Sequence, residues 1–63
     1  MTKLEKLYQN MADTLEQGMT DLEKFEAGNM SAGTRVRKNM QTIKDLAQKV
    51  RLTVQEQKNA VAA

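Results

Sequence analysis

The stretch Ala27-Gly28-Asn29-Met30-Ser31-Ala32-Gly33-Thr34 decides the fold. Gly28 suits the left-handed residue that ends a helix. Asn29 or Ser31 can cap the next one. So short a connection between two helical patterns makes the helices antiparallel neighbours. With the turn centred near Asn29, Phe25 lies beside Gly33, Leu22 beside Val36, Leu15 beside Ile43 and Tyr8 beside Val50. A later centre would put Gly18 against Ala47 and Leu22 against Ile43, and the first register is preferred. One long bent helix is the alternative, and Gly28 and Gly33 disfavour it.

Working outward, both flanks carry helical periodicity. Before the turn, Leu4, Tyr8, Met11, Leu15, Gly18, Leu22 and Phe25 recur in alternating steps of four and three, a coiled-coil-like seam. Thr2 and Glu5 have the spacing of a capping box. Gly18 is a costly interior residue, which a close helix approach or a local bend would explain. After the turn, Val36, Met40, Ile43, Ala47, Val50, Val54, Gln57 and Val61 follow the same rhythm. Gln57 is polar at a seam position, and the tail from Ala60 to Ala63 is expected to fray. The expected architecture is all-α: a single helical-hairpin domain over residues 1–63. Helix 1 spans about 2–27, the turn about 28–31 and helix 2 about 32–59. A lone hairpin has no second layer to cover its apolar stripes, and Leu7, Met19, Met30 and Leu46 would be exposed flanks. Pairing of hairpins into a four-helix bundle, as a dimer or tetramer, is therefore expected.

Composition narrows the function. The 63 residues include no His, Cys, Trp or Pro, and Tyr8 and Phe25 are the only aromatics. Disulfides, thiol chemistry and histidine acid–base work are excluded. A stacking platform for single strands is excluded as well. No metal site, cofactor, catalytic residue or small-molecule substrate is expected: Glu23 and Glu26 lie on one helix face without a cleft, and Gly28 and Gly33 make no phosphate loop. The methionines at 11 and 40 read as core packing rather than an adaptable groove. No leader or membrane span is visible, and a cytoplasmic, nucleoid-associated location is expected.

Charge carries the functional signal. The chain has ten basic and eight acidic residues, net +2. Residues 1–30 hold three lysines against six acids, net −3, and residues 31–63 hold seven basic residues against two acids, net +5. Such asymmetry suits a polyanionic partner or two halves that attract each other. Arg37, Lys44, Arg51 and Lys58 recur every seven residues, a basic line about 30 Å long. Arg35, Lys38 and Lys49 add charge on neighbouring faces. Arg35, Arg37 and Lys38 also cluster near the start of the second helix, where free N–H groups and the dipole favour an anion. Gly28, Asn29 and Ser31 form the turn and cap, and Asn29, Ser31 and Thr34 could add donors to a phosphate-binding corner. The competing reading is ion pairing within the hairpin, Arg37 to Glu26 and Lys58 to Glu5.

The stretch Leu22–Glu56 resembles the small bacterial linker-histone-like family, which includes the chlamydial histone-one-like nucleoid proteins. The likeness rests on an acidic amphipathic helix ending in Glu26-Ala27-Gly28-Asn29. Ser31-Ala32-Gly33-Thr34 then leads into Arg35-Val36-Arg37-Lys38 and a basic helix. The matching positions are Gly28, Asn29, Ala32, Arg35 and Arg37, with Lys38 fitting relatives that lack a tail. The chlamydial proteins continue into a long lysine- and alanine-rich tail, whereas this sequence stops at Ala63, so the resemblance bears on the hairpin. It implies DNA binding and compaction of the nucleoid, without sequence preference. The residues themselves add the expectation that the basic second helices touch the phosphates of double-stranded DNA and that a homo-oligomer bridges two segments. The alternative is a protein–protein or self-assembly module that binds no DNA. A membrane-surface helix fits poorly, because the apolar faces lack tryptophan.

Overall fold

A computed structural model describes residues 1–62, with side chains over residues 1–60. It contains two helices, α1 (Lys3–Glu26) and α2 (Met30–Ala62). They pack against each other as an antiparallel hairpin measuring 53 × 19 × 10 Å. α2 begins two residues before the expected start and continues three past the expected end. Val61, expected in the seam, and the end of the tail lie outside the residues with described side chains.

Local chemistry fixes each helix end. Thr2 is extended, with φ −74° and ψ 167°, and its hydroxyl accepts the Glu5 N–H at 3.1 Å. The Thr2 N–H donates to Glu5 Oε1 at 3.0 Å, which completes the capping box. Hydrogen bonding to Thr2, from its backbone N–H first and its side chain second, holds the Glu5 carboxyl below its ordinary range. The sign follows: the box is intact at neutral pH and is lost as the pH falls through the lowered pKa. Thr2→Ala removes the cap and is expected to cost about 1 kcal/mol of stability by chemical denaturation.

At the other end of α1, the Asn29 N–H donates to the Lys24 carbonyl at 2.9 Å and the Gly28 N–H to the Phe25 carbonyl at 3.0 Å. This is a Schellman closure, and it requires a left-handed residue. Gly28 supplies it with φ +107°. Gly28→Ala meets no neighbouring atom, so its expected cost of about 1 kcal/mol is backbone strain alone. Thermal melts of this variant would check that figure. Asn29 then precedes α2, and its side-chain oxygen accepts the Ser31 hydroxyl at 2.7 Å.

The register is the one preferred from sequence. The Phe25 ring packs on Gly33, and Gly18 lies against Asn39. The rows that meet, however, are turned by one position from those the apolar pattern selects. In α1 the covered positions are Leu4, Leu7, Met11, Thr14, Gly18 and Asp21. In α2 they are Ala32, Gly33, Val36, Asn39, Ile43, Leu46, Ala47, Val50 and Thr53. Leu7 and Leu46, expected as exposed flanks, are half-buried, while Met19 and Met30 are exposed as expected.

Polar residues explain the turn of the seam. Asn39 Nδ2 donates to the Thr14 carbonyl across the helices at 2.7 Å. A methyl group on Gly18 would overlap the Asn39 carboxamide, so the glycine is the recess that admits it. Arg35 Nε donates to Asp21 Oδ1 at 2.7 Å beside the turn. Tyr8, Leu15 and Leu22 of α1, with Met40 and Val54 of α2, are left exposed instead of lining the seam. Among the described residues only Ala32 and Thr53 are fully buried, and no large side chain is.

Candidate nucleic-acid interface

The hairpin has two unlike broad faces. On one, Tyr8, Met11, Ala12 and Leu15 of α1 share an open apolar groove with Ala47, Val50 and Arg51 of α2. On the other, Lys3 and Leu7 meet Lys49, Leu52, Thr53 and Glu56. Helix geometry places Arg37, Lys44, Arg51 and Lys58 in one row at the outer edge of the apolar face. Lys44 and Arg51 flank a common hollow with Ala47 and Gln48.

The seven basic residues named from sequence therefore fall in three places, all exposed. Arg37, Lys44, Arg51 and Lys58 form the edge. Arg35 and Lys49 lie on the opposite broad face. Lys38 sits on the back of α2, in the row that also holds Asp45 and Leu52. Arg35 and Arg37 flank half-buried Val36 and leave it on opposite sides, so Arg35, Arg37 and Lys38 do not converge on one corner. The cap donors are partly engaged too, since Ser31 is spent on Asn29.

Electrostatics favours the edge over the corner. Among the described residues, Arg35–Asp21 is the only ion pair. It is not one of the pairs that the competing reading names, because Asp21 stands outside the apolar seam. Arg37–Glu26 and Lys58–Glu5, the pairs of that reading, do not form. Six of the seven basic side chains of α2 are thus free of carboxylate partners among the described residues. Arg37, Lys44, Arg51 and Lys58 thus make a row of exposed cations without carboxylate partners among the described residues. No group of carboxylates among the described residues could hold a metal ion. No described helix is long and apolar enough to cross a membrane.

The family model described as histone H1-like protein Hc1 matches residues 5–60. The chain belongs to that family, a structural, DNA-binding family of the nucleoid that is not known for enzymes. No curated protein and no solved structure matches the chain.

Proposed function

We propose that this protein binds double-stranded DNA through its phosphates, without sequence preference, as an architectural component of the nucleoid in the cytoplasm. The observation that carries this reading is the unpaired row Arg37, Lys44, Arg51 and Lys58 on the exposed edge of α2. Its length of about 30 Å approaches one duplex turn of about 34 Å. Lys38 and Lys49 extend the positive field around α2, and Arg35 adds to it while held by Asp21. Arginine suits this use because its fork matches phosphate oxygens.

Phosphate contact releases counterions, so affinity falls steeply with salt. Nothing on the edge combines the side chains that read base edges, so unrelated sequences bind equally. Pairing of hairpins into a dimer or tetramer gives one particle several such edges, which supports bridging of DNA segments. The test is fluorescence anisotropy of the whole chain with two unrelated labelled duplexes, at low and near-physiological salt. Equal binding that weakens with salt is expected. Absence of binding at low salt would leave a self-assembly module, the reading that the open apolar face favours.

A further inference from the structure

We propose that a second copy of this chain covers the apolar face, with α1 of each hairpin lying over α2 of the other. The orientation deepens the hairpin pairing put forward above and rests on it. Tyr8 is 65% exposed, Leu15 49% and Met40 46%, and with Leu22, Ala47 and Val54 they continue one face. The broad side of the hairpin that carries it, 53 Å by 19 Å, projects about 1,000 Å², basic and acidic edges included. A stable interface needs about 800 Å² from each partner. With only Ala32 and Thr53 fully buried among the described residues, the single hairpin has little core of its own.

Two symmetric arrangements bring this face onto itself, and charge separates them. A two-fold axis across the helices lays α2 over the partner's α2. The rows Arg37, Lys44, Arg51 and Lys58 then lie alongside each other and repel. A two-fold axis along the helices lays α1 over the partner's α2 in antiparallel sense. This axis keeps every residue at its own height. Gly18 beside Asn39 and Phe25 beside Gly33 set those heights. At equal rise per residue, those heights bring Glu5 within about two residues of Arg51, Ala12 of Lys44 and Met19 of Arg37. Glu5, Ala12, Met19 and Glu26 form the outer row of α1 on this face, so the small or acidic row of one copy meets the basic row of the other. Charge complementarity therefore selects the arrangement along the helices.

This dimer carries its two basic edges on opposite sides, spaced to hold one duplex each. Lys44, beside an alanine, keeps its charge for phosphate, while Arg51 shares its charge with Glu5.

The absence of native cysteine makes the test direct. Ala12→Cys, Lys44→Cys and the double variant are oxidised and run without reductant, with circular dichroism confirming their helicity. Ala12 and Lys44 sit on opposite outer edges of one hairpin, out of reach of each other within a chain. A covalent dimer is expected from the double variant and from neither single one. Dimer from Lys44→Cys alone would overturn the orientation. No covalent dimer from any variant would overturn the proposal, whether wild-type sedimentation shows a monomer or a dimer formed through another face. DNA binding, read separately by anisotropy on the wild-type chain, can fail without affecting the crosslinking result.

Discussion

Replacing Arg37, Lys44 and Arg51 together by glutamate is expected to lower duplex affinity at least 100-fold at low salt. Three positive contacts are lost and three repulsions are introduced along one edge. Each phosphate contact removed also takes about 0.9 from the slope of log affinity against log salt. The three side chains are exposed and have no carboxylate partner among the described residues, so the helicity of the hairpin should remain. A control of equal charge change sets Lys44 and Arg51 replaced by alanine against Arg35 and Lys49 replaced by alanine. Arg35 and Lys49 lie on the opposite broad face, and Arg35 is already engaged by Asp21. Their loss should lower affinity only a few-fold, through the general positive field, and less than the loss of the edge pair. Equal effects of the two sets in anisotropy titrations would remove the edge as the binding surface and leave a diffuse cationic helix.

The second large effect concerns the apolar face. Leu15→Glu places a carboxylate in the apolar groove, beside Tyr8, Met11 and Ala47. In a single hairpin that position is half exposed, so the helix itself should tolerate the change. In a paired hairpin the charge would be buried without a partner, and a weakening of association of about 100-fold is expected. Analytical ultracentrifugation should show a monomer, with a lower melting temperature because the interface supplies much of the apolar burial. Leu15→Met keeps volume and polarity and should preserve association. A dimer that survives Leu15→Glu would mean that this face stays in solvent. The monomeric variant, left with a single basic edge, should also lose the ability to bridge two duplexes.

Much of the hairpin is legible in the sequence itself. Gly28 and Asn29 mark the break, Thr2 with Glu5 marks the start, and the small Gly33 opposite Phe25 fixes the register. The facing rows are harder, for a physical reason. Each helix carries two adjacent apolar rows, and only one can face its sister. Hydrophobicity alone selects Tyr8, Leu15 and Leu22 with Met40 and Val54. The structure instead turns inward the row containing Thr14, Asp21 and Asn39, because a carboxamide–carbonyl bond and a guanidinium–carboxylate pair satisfy the polar groups there. Gly18 holds the clue: a glycine in the middle of a helix makes room for something, and Asn39 lies level with it.

The basic edge is visible as a seven-residue repeat, while the grouping of Arg35, Arg37 and Lys38 into a corner is not realised. Residues two apart on a helix leave it on different sides, and Val36 between them points inward. Chain proximity therefore overstates their convergence. The Arg35–Asp21 pair depends on which row of α1 faces α2, and that follows only from the turned seam.

The most direct test of DNA binding by the α2 edge is a titration of isotopically labelled protein with a short duplex, followed by backbone and side-chain NMR shifts. The largest changes are expected at Arg37, Lys44, Arg51 and Lys58, with small changes across the acidic outer surface of α1. Shifts centred on α1 or on the polar face around Lys3 and Glu56, or no shifts at low salt, would contradict the assignment.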